Sequence, residues 1–283
     1  MSSNPLVRLG QLGQSPWYDF ITRDLLTSGE LGRLIAEDGL LGMTTNPTIF
    51  EKAVAGSELY DDDIRRLTRR GRTSAEVFEA LAVADVQAAC DLFLPVYQRT
   101  GGQDGLVSIE VSPALARDTA ATILEADRLW RAVARPNAMI KIPGTAEGLP
   151  AVTHCIAEGI NVNVTLLFAV SRYEEVVTAY QAGLEARLAR GLPVDRIASV
   201  ASFFVSRVDS KLDPLLDRLG DPAGLRGRIA IANACVAYRA FEQRSADARW
   251  DRLAARGARP QRPLWRPPAP RTRAIPTCTM SRR

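Results

Sequence analysis

Alternating side chains mark the stretch Leu106-Val107-Ser108-Ile109-Glu110-Val111-Ser112 as a β-strand with two unlike faces. Successive side chains of a strand point to opposite sides, so the two valines and the isoleucine share one face, and Glu110 lies on the other between two serines. An open sheet covered by helices on both sides is expected to be apolar on both faces. The polar face of this strand therefore favours a sheet that curls around an interior where polar groups meet.

Two further predicted strands repeat this pattern. In Ala138–Pro143, Lys141 lies on the face opposite two isoleucines. In Ile160–Thr165, Asn163 and Thr165 share one face and the two valines share the other. A barrel has its helices outside and its functional groups at the C-terminal mouth, so its inner face can be polar there. The three strands together favour a barrel.

Short apolar runs and longer amphipathic runs alternate along most of the chain. This alternation predicts a parallel sheet with helices packed against it. A doubly wound open sheet and a (β/α)8 barrel both fit the number of strands, and the polar strand faces favour the barrel. We therefore predict an α/β fold, a (β/α)8 TIM-type barrel. The predicted strands are Trp17–Phe20, Leu40–Thr45, Leu106–Ser112, Ala138–Pro143, Ile160–Thr165 and Ile197–Phe204, with a possible seventh from Arg262–Trp265.

Length and composition are those of an ordinary globular protein. The 283 residues are 46% hydrophobic and 24% charged, and no stretch approaches the roughly 20 apolar residues of a membrane span. The first five residues lack the basic region and apolar core of a secretory signal, so we expect a cytoplasmic protein without membrane contact. The net charge of +4 is local, because no acidic residue follows Asp251.

Histidine and cysteine usage excludes several kinds of site. The four cysteines are scattered and form no CxxC pair, which argues against metal clusters and a disulfide framework. His154 is the only histidine, and its place in a helical pattern indicates a structural role. A multi-histidine metal site is thereby excluded and a Ser-His-Asp triad is disfavoured. Acid–base chemistry would fall to carboxylates and a lysine.

Lys141 is one of only three lysines in the chain, and it lies in the middle of an apolar run. A buried lysine is costly to desolvate, and burial favours the neutral amine that Schiff-base chemistry requires. The alternative is a lysine near a strand end whose ammonium reaches water. This strand alone leaves both interpretations open.

Several polar residues are expected to meet Lys141 at the mouth of the barrel. A lysine with two carboxylates, hydroxyls and amides suits aldol chemistry on a polyhydroxylated carbonyl compound, because the amine can attack a ketone while a carboxylic acid moves protons. Taken singly, each residue has an ordinary explanation, such as a capped turn or a surface carboxylate. The inward set consists of Asp19, Asn46, Glu110, Lys141, Asn163, Thr165 and Ser202.

Three motifs carry a resemblance to the transaldolase family. They are Gly42–Phe50 (GMTTNPTIF), Met139–Thr145 (MIKIPGT) and Gly159–Phe168 (GINVNVTLLF), in the family's order and roughly its spacing. The resemblance extends over about residues 15–265, and the helical region Tyr60–Arg99 is similar to that of the longer bacterial subgroup.

The resemblance implies a (β/α)8 barrel that transfers a dihydroxyacetone unit between sugar phosphates in the non-oxidative pentose phosphate pathway. Sedoheptulose 7-phosphate and glyceraldehyde 3-phosphate would give erythrose 4-phosphate and fructose 6-phosphate. No metal or organic cofactor is implied, and the expected partners are small sugar phosphates. A Schiff-base aldolase that releases the three-carbon fragment is one alternative. An inactive remnant that acts only through association is another.

The motif positions also imply roles for single residues. Lys141 is similar to the family's Schiff-base nucleophile, and Glu110 to the carboxylate that acts through a water held near Thr165. Asp19 resembles the acid–base residue of the first strand. Without the resemblance, Arg207 would be read as a surface arginine at the start of a helix. By motif position, Asn46, Asn163 and Ser202 resemble hydroxyl-binding residues and Arg207 a phosphate-binding one.

The resemblance ends at Trp265. Residues 266–283 contain four prolines, five arginines and no acidic residue, which predicts a disordered basic tail behind a barrel domain of residues 1–265. We interpret this as truncation or a frame change that leaves strands seven and eight missing or degraded. A barrel with unpaired edges would be poorly stable and weakly active. A tail that binds nucleic acid is the less favoured alternative, and the sequence does not define the oligomeric state.

Overall fold

A computed structural model describes residues 4–221 and 223–266, together with the backbone of 277–280. Its strands form one closed barrel in chain order, and the first seven run parallel to one another. The predicted α/β barrel is confirmed, with seven parallel strands where a regular (β/α)8 barrel has eight. The strands are β1 (Gln14–Tyr18), β2 (Gly42–Thr44), β3 (Leu106–Glu110), β4 (Ala138–Pro143), β5 (Val162–Leu167), β6 (Ser199–Phe204), β7 (Arg262–Arg266) and β8 (Thr277–Met280).

The eighth position of the barrel differs from the expectation of an open seam. The backbone of β8 runs antiparallel and pairs with both β1 and β7, so these two edges are joined. Its sequence, Thr-Cys-Thr-Met, contains no proline and two β-branched residues, so it can donate to a strand ladder although the residues before it are proline-rich. Residues 267–276 and 281–283 lie outside the described residues, and the disorder expected for the tail stays a prediction there.

β7 extends one residue past the boundary predicted for the barrel. Arg266 pairs with Phe204 of β6 and is the last residue of the strand. Local composition predicts that Arg266 belongs to the tail, because the sequence that follows it is rich in proline and arginine. Its pairing with Phe204, which is distant in the sequence, shows instead that it belongs to the barrel.

Helices cover the outside of the barrel, and their starts follow local sequence rules. The long α6 begins with a capping box, in which the side chains of Thr73 and Glu76 each bond to the other's backbone N–H. Among the described residues, no helix is both long and apolar enough to cross a membrane. The helices are α1 (Pro5–Gln11), α2 (Arg23–Thr27), α3 (Glu30–Glu37), α4 (Pro47–Ala55), α5 (Asp61–Arg69), α6 (Ser74–Arg99), α7 (Thr119–Val133), α8 (Gly148–Glu158), α9 (Val170–Ala189), α10 (Val205–Arg218), α11 (Ile229–Arg244) and α12 (Ala248–Ala254).

The two faces of the strands pack into separate cores. Outward residues such as Ile140 and Val162 join the large apolar core beneath the helices. A smaller cluster includes Trp17, Leu106 and Met139, and it fills part of the interior of the barrel. Met139 and Lys141 share a strand face, so the polar groups of the mouth rest on this apolar layer.

Candidate active site

Lys141 lies inside the barrel, and its side chain is only 4% exposed. Its Nζ donates a hydrogen bond to the main-chain oxygen of Thr45, 3.0 Å away, and lies 3.0 Å from Oε2 of Glu110. Lys141 and Glu110 are direct register partners on β4 and β3, which explains why the two side chains meet. The alternative in which the ammonium reaches bulk water does not hold for this geometry.

Asp19 follows β1 and faces the same group of charges. Its Oδ2 lies 2.6 Å from Nη2 of Arg266. Asp19, Lys141 and Thr165 together line a small internal cavity of about 10 Å³. Burial raises the pKa of the Asp19 carboxyl; the charges of Arg266 and Lys141 act against that rise, and Glu110 adds to it. The structure thus brings both predicted carboxylates to the lysine.

A larger cavity of about 690 Å³ opens at the C-terminal ends of the strands. Lys141, Glu110 and Thr165 line its inner part. Thr165 has a buried hydroxyl with no hydrogen-bond partner among the described residues. A buried hydroxyl without a hydrogen-bond partner lowers the stability of the folded chain. The Thr165 hydroxyl is therefore available to bind a polar ligand.

Asn46 combines a structural task with a place in the larger cavity. Its Oδ1 accepts hydrogen bonds from the backbone N–H groups of Thr48 and Ile49, at 3.0 and 3.3 Å, and so caps α4. The same residue lines the cavity beside Lys141. The helix cap occupies only its amide oxygen, and no hydrogen bond in the described part of the chain uses its amide nitrogen. The capping explanation and the binding explanation are therefore compatible.

Asn163 and Ser202 belong to a hydrogen-bonded chain across three strands. Ser202 Oγ donates to Asn163 Oδ1 at 2.7 Å, and Asn163 Nδ2 donates to Ser108 Oγ at 3.0 Å. Asn163 is fully buried, whereas Ser202 also lines the small cavity with Asp19. The structure therefore places Ser202 at the site and Asn163 one layer deeper, where its amide is already engaged.

Two cations of α10 lie at the outer part of the larger cavity. Arg207 and Lys211 are exposed, stand one helical turn apart and both line this cavity. No carboxylate of the described residues forms an ion pair with either of them. The motif positions predict Arg207 but not Lys211, although the four-residue spacing and the rarity of lysine are signals for it.

Arg266 and the carbonyl of Thr45 were also missed. Local composition places Arg266 in the tail, so it is not predicted as a site residue. The position of a main-chain oxygen depends on the fold and cannot be read from residue types. In the part of the chain that the structure describes, no group of three or more histidine, cysteine, aspartate or glutamate side chains could hold a metal ion.

The fold and the site together define a class of protein. It is an α/β barrel whose buried lysine, held between a carboxylate and a main-chain carbonyl, can form a Schiff base. Comparisons with known proteins narrow this class. The family model described as Transaldolase/Fructose-6-phosphate aldolase matches residues 16–264. The chain belongs to this family.

Individual relatives agree with the family match. A protein of Acidothermus cellulolyticus named transaldolase is 52% identical over 264 residues, which cover 93% of this chain and 71% of that protein. Proteins of the same name from Trichodesmium erythraeum and Thermobifida fusca are 49% and 50% identical, and the matches cover 94% and 93% of this chain and 72% of each protein.

Proposed function

We propose that the chain catalyses a transaldolase-type transfer through a Schiff base on Lys141. A dihydroxyacetone unit passes from sedoheptulose 7-phosphate to glyceraldehyde 3-phosphate, which leaves erythrose 4-phosphate and forms fructose 6-phosphate. The observation that carries the proposal is the buried Lys141 amine 3.0 Å from Glu110, at the base of the 690 Å³ cavity. The cytoplasmic location predicted from the sequence and the pathway fit this reaction and remain part of the proposal.

The first step is attack of the Lys141 amine on the ketose carbonyl. Glu110 Oε2 is within hydrogen-bond reach of Nζ, so this carboxylate can take a proton from the attacking nitrogen. The carboxyl passes this proton to the carbonyl oxygen, which becomes the carbinolamine hydroxyl. A second proton, from solvent, goes to that hydroxyl, which leaves as water while the nitrogen lone pair forms the C=N bond of the protonated imine. The unpartnered hydroxyl of Thr165 lies in the same cavity, where it can hold the water or hydroxyl that moves.

The second step is cleavage of the carbon–carbon bond. The protonated imine draws the electron pair of the C3–C4 bond, and Asp19 removes the proton of the C4 hydroxyl, so that an aldose leaves and an enamine stays on Lys141. In the transfer, the enamine carbon attacks the aldehyde of the acceptor and Asp19 returns its proton. A carboxyl whose pKa is raised by burial is suited to move a proton in both directions. Asn46 and Ser202 line the two cavities, where they can hold sugar hydroxyls.

The phosphate group of the substrate fits the pair Arg207 and Lys211. Two like charges one helical turn apart disfavour a helix by about 0.2–0.5 kcal/mol. A phosphate dianion between them would reverse that repulsion. The planar guanidinium can bind two phosphate oxygens, and the ammonium supplies a second charge.

The family description favours a second candidate, because it names an aldolase activity beside the transferase. In that reaction, the enamine is protonated and hydrolysed before an acceptor arrives, and free dihydroxyacetone is the product. Product analysis with and without glyceraldehyde 3-phosphate separates the two activities. Accumulation of dihydroxyacetone in the presence of saturating acceptor would favour the aldolase.

Borohydride trapping tests the shared intermediate. Incubation with fructose 6-phosphate and borohydride is expected to leave a three-carbon adduct on Lys141, located by mass mapping. Lys141→Ala should remove the label, whereas the control Lys52→Ala, which changes an exposed lysine of α4, should retain it. A folded wild-type chain that is never labelled would contradict the proposal and favour the non-catalytic alternative.

A further inference from the structure

Arg266 is fixed beside Asp19 by contacts on two sides. Its Nη2 lies 2.6 Å from Asp19 Oδ2, and their side chains are 26% and 12% exposed. Its guanidinium carbon lies 5.2 Å from the ring centre of Phe204, within cation–π distance. Both contacts hold the guanidinium at the mouth of the barrel, where it lines the small cavity with Lys141.

Three charged groups from different strands act on Asp19. Arg266 at the end of β7 and Lys141 of β4 favour its carboxylate, and Glu110 of β3 disfavours it. The charge on Lys141 changes during the proposed reaction, because its nitrogen is a neutral amine when it attacks and carries a positive charge in the protonated imine that follows. An arginine stays protonated throughout. Arg266 is therefore the constant positive charge beside Asp19.

We propose that Arg266 is a positioning residue that keeps Asp19 in its carboxylate form and in a fixed orientation before cleavage, including the stage at which Lys141 is a neutral amine. This proposal rests on the acid–base role proposed for Asp19. It assigns to β7 a part in the reaction that neither the motifs nor the cavity alone indicate.

A purely structural role makes a different prediction. The Arg266–Asp19 pair also ties the end of β7 to the segment after β1, with β8 between the two strands. If that tie were its only role, loss of Arg266 would lower stability and scale activity down equally at every pH.

The test compares one substitution that removes the charge with one that keeps it. Arg266→Gln keeps a hydrogen-bond donor and removes the charge, whereas Arg266→Lys keeps the charge and removes the planar fork. Asp19 must be ionised to take the proton of the substrate hydroxyl. Removal of the positive charge raises the pKa of Asp19 further, so the acid limb of the kcat/KM profile for ketose cleavage is expected to move to higher pH in Arg266→Gln. Arg266→Lys should keep the limb near its wild-type position.

Arg249→Gln is the matched control, because it removes an arginine that pairs with Glu185 on the outer helices. It should leave the acid limb in place. An unchanged limb in Arg266→Gln, or equal movement in both Arg266 variants, would overturn the proposal.

A measurement without substrate separates this inference from the proposed function. Carboxyl-carbon NMR of aspartate-labelled protein, with the Asp19 signal assigned through Asp19→Asn, follows the titration of Asp19 directly. A higher midpoint in Arg266→Gln supports the effect of Arg266 even if borohydride trapping shows no intermediate. An unchanged midpoint overturns it, even in a chain that turns over.

Discussion

Substitution of Asn163 by alanine tests the polar layer just below the mouth of the barrel. The change removes the hydrogen bond from Ser202 and the hydrogen bond to Ser108, which span 2.7 and 3.0 Å. All three side chains are buried. Each hydrogen bond contributes about 1 kcal/mol, and a buried hydroxyl left without a partner costs about 1–3 kcal/mol. Two hydroxyls lose their partner, so we expect a loss of about 2–6 kcal/mol in the free energy of unfolding.

Urea unfolding followed by tryptophan fluorescence measures this loss in the absence of substrate. The midpoint should fall with an unchanged slope, and the melting temperature should fall by roughly 4–24 °C for a chain of this size. Asn233→Ala is the control, since it removes one exposed hydrogen bond, to the backbone of Phe168, and should stay within about 0.5 kcal/mol of wild type.

A double-mutant cycle with Ser202→Ala decides whether the two residues act together. Contacting residues in one network are expected to show a coupling of about 0.5–3 kcal/mol. An additive cycle, or a loss below about 0.5 kcal/mol in Asn163→Ala, would refute the reasoning. In that case, the amide of Asn163 would be free to bind a sugar hydroxyl, as the sequence motif implied.

Three further substitutions probe other parts of the molecule. Lys211→Gln should raise KM for phosphorylated substrates roughly fivefold, because an exposed charge contributes about 1 kcal/mol to binding. Borohydride trapping of the intermediate formed with unphosphorylated ketoses should stay unchanged. Equal effects on both kinds of substrate would exclude a phosphate contact. Gly42→Ala should lose about 1–3 kcal/mol of stability in urea unfolding, because the new Cβ would lie 2.4 Å from Cε2 of Trp17, and a wild-type midpoint would contradict this packing. Arg262→Met should cost about 3–5 kcal/mol in the same assay, since Asp104, 3.0 Å away, would remain buried without a cation beside it. A loss below about 1 kcal/mol would show that the hydrogen bond from Ser15 is enough to stabilise this carboxylate.

Side-chain alternation was enough to predict which residues face the interior. Glu110 and Lys141 lie on inward positions of adjacent strands, and strand register brings them together. The same alternation does not give the depth of a residue within the barrel. It therefore placed Asn163 at the mouth with Thr165, although Asn163 forms part of a closed hydrogen-bonded layer below.

Contacts between distant segments could not be predicted from local composition. Arg266 precedes a run rich in proline and arginine, and only its pairing with Phe204 shows that it ends a strand. β8 was hidden for the same reason, since the composition of the tail as a whole obscures four residues that can form a strand. Helical spacing did contain a signal for Lys211, four residues after Arg207.

β7 is held by an arginine at each end, and the two ends differ in their contact with solvent. The Arg262–Asp104 pair at the foot of the strand has side chains 6% and 11% exposed, whereas the Arg266–Asp19 pair at the mouth has side chains 26% and 12% exposed. Dissolved ions screen accessible charges more strongly than enclosed ones. Rising ionic strength should therefore weaken the Arg266–Asp19 pair at lower salt concentrations than the Arg262–Asp104 pair. Catalysis and unfolding should then respond to salt at different concentrations.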